Sequence, residues 1–208
     1  MLSSMMNERT VEYTIVPKLL RSLSEHFGNV IPLFFWKSRE GNRTSLAIHG
    51  GSRVRLIALF ARRPKLSEDS GLIWGKINSE VRDFAYEAAQ IGVLTIAGFV
   101  PANTLFDLGQ PIAPFWIPLW ESANPENCEE DMFFVDTSQQ DPLLIGADLK
   151  PYPVVSLTDI CEAANERCRE MDWGRAIVAM SELRQNLHGH GFHSWLGGYK
   201  PVYFVIPA

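Results

Sequence analysis

NSEVRDFAYEAAQIGVLTIAGFVP, residues 78–101, reads as a helix that turns directly into a buried strand. Asn78 suits an N-cap, and Val81, Phe84, Ala85, Ala88 and Ile91 recur at helical spacing to form one apolar stripe over Ser79 to Ile91. Gly92 stands where the chain leaves the helix, and Val93 to Phe99 has the length and composition of a strand covered on both faces. So short a link makes the helix pack back on the sheet, as in crossover units.

Upstream, Pro17 to Phe27 places Leu19, Leu20, Leu23 and Phe27 at helical spacing, with Pro17 in the first turn and Gly28 after the C-cap. Val11 to Val16 reads either as a preceding strand or as an earlier part of that helix. Three strand-like runs follow, Val30 to Trp36, Thr44 to His49 and Val54 to Ala61, joined by turn-forming segments. They read as an antiparallel meander. Alternation at the start of the third run puts Arg53 and Arg55 on one side and Val54 and Leu56 on the other.

Downstream of Pro101 the pattern loosens into a short helix around Asn103 to Leu108, an apolar extended run to Trp120, and an acidic loop with Glu121, Glu126, Glu129, Glu130 and Asp131. Helices are expected over Leu157 to Glu170, where Ser156 and Asp159 are spaced as a capping box, and over Trp173 to Leu187; Tyr199 to Ile206 reads as a final strand. The fold class is therefore α/β or α+β, a mixed β-sheet flanked by helices, with an αβββαβ-type core and a C-terminal helical elaboration. Residues 1–121 form the core and 122–208 the acidic loop and helical elaboration, within one domain. A chain of 208 residues, 46% of them apolar, is long enough to bury such a core.

Charge is divided unevenly along the chain. Between Glu40 and Glu68 there is no acid, yet Arg43, Arg53, Arg55, Arg62, Arg63 and Lys65 fall there, in a protein whose formal net charge is -5. Before Glu68, eleven Lys/Arg stand against four acids, so the remainder is strongly acidic. A local inversion of sign suggests an anionic partner on one face, with nucleic acid the first expectation and these six residues its binding set. The plain alternative is a solvated loop at Arg62, Arg63 and Lys65.

The order helix, three strands, helix, strand over residues 8 to 100, with the phrase EAAQIGVLTIAGFVP, resembles the core of the restriction-endonuclease-like PD-(D/E)XK superfamily. That resemblance implies metal ions held by an Asp near the second core strand and an acid-x-Lys on the third, often with a Glu from the first helix. In this chain the second run, RTSLAIHGG, has no acid, and Arg63 stands where the acidic partner of Lys65 would be; only Glu12 matches. The implied reading is a nuclease-like subunit without nuclease chemistry. Its guanidinium groups would meet phosphate without metal, as in antiviral defence or DNA processing. Glu68, Asp69, Glu80 and Asp83 are acids that would restore a metal site from outside the motif.

Other signals are weaker. His188, His190 and His193 offer imidazoles to a metal or an enzyme, or simply to the last carbonyls of the preceding helix. Gly50-Gly51-Ser52 reads as an anion-binding nest or an ordinary turn. The acidic density from Glu121 to Asp136 admits a protein-interaction or inhibitory role. Cys161 and Cys168, seven apart, cannot bridge one helix and read as buried apolar residues, whereas Cys128 is flanked by acids that suppress its reactivity. No phosphate loop, dinucleotide fingerprint or serine-elbow motif occurs, so no cofactor is expected. Three cysteines without metal-type spacing, no leader-like N-terminus and no long apolar run point to the cytoplasm and no membrane, and six Trp, of a type enriched at interfaces, to a protein partner or homo-oligomer.

Overall fold

The apolar stripe of the first amphipathic segment lies inward: in the computed structural model α1 (Val16–Phe27) buries Leu20 and Leu23 and half-buries Leu19 and Phe27. The structure describes residues 16–27, 33–38, 41–45, 53–62, 65–66, 73–77, 79–100, 115–120, 131–135, 143–145, 151–153, 155–189 and 202–205. After α1 come β1 (Leu33–Ser38), β2 (Gly41–Ser45), β3 (Arg53–Val54), β4 (Ile57–Arg62), β5 (Lys65–Leu66), β6 (Ile73–Ile77), α2 (Ser79–Gln90) and β7 (Leu94–Phe99). The second half contributes β8 (Phe115–Pro118), β9 (Asp131–Val135), β10 (Leu143–Ile145), β11 (Pro151–Pro153), α3 (Leu157–Arg167), β12 (Met171–Asp172), α4 (Trp173–Gly189) and β13 (Val202–Val205).

A six-stranded mixed sheet in the order β2-β1-β13-β4-β7-β8 organises the fold. Among the described residues only β4 and β7 run parallel, and α2 lies on the crossover between them. Their unbroken apolar runs are explained by burial on both faces. Ala58 and Phe60 of β4 pack with Val81, Phe84, Ala85 and Ala88 of α2 and with Ala176, Ala179, Met180 and Leu183 of α4. Ile57 and Leu59 point the other way, into Leu20 and Leu23 of α1 and Leu157, Ile160, Cys161 and Ala164 of α3. The result is a helix, sheet, helix sandwich; each large side chain fully buried in it contributes about 1.5–3 kcal/mol. An exposed hydrogen bond between His26 Nε2 and Glu162 Oε1, 2.7 Å apart, links α1 to α3 but adds little to that burial.

Local signals read from the sequence hold closely. At the end of α2 the Gly92 amide donates to Ala89 O (3.0 Å) and the Val93 amide to Ala88 O (2.9 Å), with Gly92 at φ +84, a left-handed stop that glycine adopts without penalty. At the start of α3 the Asp159 amide donates to Ser156 Oγ and the Ser156 amide to Asp159 Oδ2, completing the capping box. The helix ends sooner than its pattern predicts, because Cys168 is already extended (ψ 139) as the C-cap. Asn78, residues 11–15 and the segment 103–108 lie outside the described residues.

Non-local pairing departs from expectation in two places. The meander is broken: β1 pairs with β2, but β13 lies between β1 and β4, with Tyr203 opposite both Phe34 and Leu59. The expected final strand is therefore interior to the sheet. Residues 131–153, to which the sequence pattern assigns no element, supply β9, β10 and β11 to a five-stranded antiparallel sheet in the order β11-β10-β9-β6-β5. Short β3 pairs with β12.

Candidate nucleic-acid interface

Strand register divides the six basic residues into two groups. Ser45, Phe34, Tyr203 and Leu59 share one row across β2, β1, β13 and β4. Counting from that row toward the carboxyl end of β4, Arg43 lies two residues on, and Lys37 and Arg62 lie three. Lys65 opens β5 three residues after Arg62. Arg43, Lys37 and Arg62 thus lie toward one end of the strands, Arg43 at a register position of one sheet face and Lys37 and Arg62 at positions of the other, with Lys65 just beyond in the second sheet. It is the end where parallel α/β strands commonly present ligand-binding loops. Lys37 is outside the six-residue set, and its position opposite Asn42 in the hairpin places it at the same level.

Arg53 and Arg55 belong to the other end. Ile57–Arg62 alone separates them from Arg62 by roughly 17 Å of extended strand. In the β3·β12 pair the register sets Arg53 opposite Asp172, whose Oδ1 accepts a 2.8 Å hydrogen bond from the Arg175 amide and caps α4. Arg55 is half-buried between buried Val54 and Leu56, with its Nε shielded from solvent. Its guanidinium acts on the Cys168 thiol at the C-cap of α3, a place where a cation offsets the unpaired carbonyls of the last turn. Arg63 lies outside the described residues.

Large rings fill the space over the carboxyl ends of β4 and β7. Phe99 stacks on Phe115 (centroids 5.0 Å apart) and lies against Gly75, while Trp116 lies across Gly98 so closely that neither glycine has room for a Cβ. The pocket left between Phe60, Ile77, Val81, Ala97, Gly98 and Phe99, with exposed Lys76 at its rim, holds about 10 Å³, the space of a single water. This end of the sheet offers an edge to lie along, and that pocket is too small for a small-molecule ligand.

The chain matches no protein-family model, no curated protein and no solved structure. The candidate interface therefore rests on charge and register alone. Among the described residues no three His, Cys, Asp or Glu side chains come together to hold a metal, and no helix is long and apolar enough to cross a membrane. His188 falls in the last turn of α4, and Glu80 and Asp83 fall in the first half of α2. Glu12, Glu68, Asp69, Cys128, His190, His193 and the glycines at 50 and 51 lie outside the described residues.

Cys161 and Cys168 are free and buried. Burial, with the neighbouring Cys168 second, pushes the Cys161 thiol up to about 12. Burial likewise raises Cys168 to about 11, against the opposing pull of a backbone hydrogen bond and of Arg55. The Cys168 thiol donates to Leu56 O at 3.4 Å, tying the end of α3 to the link between β3 and β4. Neither thiol is a nucleophile at neutral pH.

Proposed function

We propose that this chain is a non-catalytic, nuclease-like subunit that binds nucleic acid through the basic edge at the carboxyl ends of β4 and β7. It would act in the cytoplasm, within a complex devoted to antiviral defence or DNA processing. One observation carries the reading: the acid-free stretch between Glu40 and Glu68 holds six Arg/Lys in a chain of net charge -5, and Arg43, Lys37 and Arg62 occupy register positions toward one end of the sheet, with Lys65 three residues after Arg62. The order of the elements of five or more residues, α1, β1, β2, β4, β6, α2, β7, keeps a run of strands between two helices with a strand after the second, which supports the nuclease-like part, and β2 (GNRTS) has no acid to hold a metal. Guanidinium forks bind phosphate oxygens directly, so no ion is needed for affinity.

The test is fluorescence anisotropy of labelled DNA and RNA oligonucleotides against the purified protein, titrated with salt. Four phosphate contacts give a slope of log K against log salt of about -3, near -0.7 per contact on single strands and -0.9 on duplex. Arg43→Glu plus Arg62→Glu abolishes binding, whereas Arg53→Glu, at the opposite end of the sheet, leaves most of it. Absence of binding at low salt, or equal sensitivity to both changes, overturns the proposal.

A further inference from the structure

Among the described residues the large apolar side chains left exposed are two neighbours on one helix, Ile177 (46%) and Val178 (54%) of α4. Ala176, Ala179, Met180 and Leu183 turn the other side of α4 into the core. The outward face therefore carries Gly174, Val178, Ser181 and Gln185 at helical spacing, all exposed. Ile177 flanks that face on one side, and Arg175 and Glu182, both exposed, flank it on the other. Arg175 stands in the first turn of α4, where the helix dipole disfavours a cation. The stability of its own helix does not explain its place.

The spacing of the two charges names an occupant for this face. Arg175 and Glu182 are seven residues apart along one flank, two turns or about 10 Å. When two identical helices lie antiparallel about a two-fold axis, like flanks meet with their heights reversed, so Arg175 of each copy comes level with Glu182 of the other. The same register sets Val178 of each copy beside Ser181 of the other and Gly174 opposite Gln185, small or slender residues that let the helices approach. A parallel pair would instead press the charged flank of each copy on the Ile177 flank of its mate. From this self-complementarity we infer that the outward face of α4 is a homodimer interface, covered by α4 of a second copy of this chain lying antiparallel across it. A single helix face is smaller than a standard interface, so the dimer is a weak one, micromolar or weaker. The inference is independent of nucleic-acid binding.

The experiment is sedimentation velocity of the full chain at concentrations from roughly 5 to 500 µM, where a reversible monomer–dimer equilibrium is expected. Val178→Lys raises the dissociation constant at least about tenfold. Arg175→Glu alone, or Glu182→Arg alone, replaces two attractions by two repulsions and raises it about tenfold, whereas the double exchange restores it to within a few-fold of the original. The monomer carrying Arg175→Glu melts no lower than the unaltered monomer, because an acid in the first turn of α4 suits the dipole, so its loss of dimer is not loss of fold. A monomer at every concentration, a dimer indifferent to Val178→Lys, or a double exchange that fails to restore what the single ones removed overturns the inference.

Discussion

Phe99, the last residue of β7, lies against the backbone of Gly75 in β6, where any Cβ would overlap its ring. The contact joins the six-stranded sheet to the five-stranded one. Gly75→Ala forces the Phe99 ring off its stack with Phe115 and costs about 1–3 kcal/mol. For a chain of this size that lowers Tm by about 2–4 °C per kcal/mol in thermal denaturation. Phe99→Leu in the same chain recovers part of the loss; strictly additive effects of the two changes would refute the contact.

β13 fills the slot between β1 and β4, so its removal exposes the backbone edges of both neighbours. A chain ending at residue 200 is expected to lose cooperative unfolding by circular dichroism and to aggregate at micromolar concentration. Cooperative melting near the full-length Tm would show that the sheet closes without β13.

The two helix stops make separate, smaller contributions. Ser156→Ala removes the hydroxyl that accepts from the Asp159 amide and lowers stability by about 1 kcal/mol in urea denaturation. Gly92→Ala forces a side chain onto a residue at φ +84 and costs a similar amount, with Gly92→Asn costing less. The sites share no contact, so the double variant is additive.

Both buried thiols titrate far above their ordinary value of 9.0, Cys161 at about 12 and Cys168 at about 11. In the unfolded chain they lose their protons near 9, while the folded chain keeps them. Their contribution to stability is thus complete below pH 9 and is lost as pH rises from 9 toward 12. Alkaline urea melts are expected to show that decline, reduced in the variant carrying Cys161→Ala and Cys168→Ala. Peptide mapping after iodoacetamide at pH 8 should find both cysteines unmodified in the native protein and modified after denaturation.

What was legible in the sequence is what neighbouring residues decide among themselves. The stripe Val81, Phe84, Ala85, Ala88 is a helix, Gly92 stops it, Ser156 and Asp159 cap the next one, and the apolar run after Gly92 is a strand buried on both faces. Residues 131–153 were not legible, because β9, β10 and β11 are only three to five residues long and rich in turn-forming neighbours. Reading Arg53, Arg55 and Arg62 as one set took closeness along the chain for closeness in space. An extended strand carries them apart at about 3.3 Å per residue.

The sequence by itself determined the types of the principal helices and of β4, β7 and β13, the glycine that stops α2, and a sign of charge opposite to that of the whole chain. Those properties follow from side-chain periodicity, backbone stereochemistry and composition, all of which act over a few residues or none. Only the tertiary structure decided that β13 enters between β1 and β4, that a second sheet is built on β6, and that Arg43 and Arg62 lie toward one end of the strands while Arg53 lies toward the other. A strand exposes the same hydrogen-bonding edge to every candidate neighbour, so its partner is chosen by which pairing buries the most apolar surface in the assembled core.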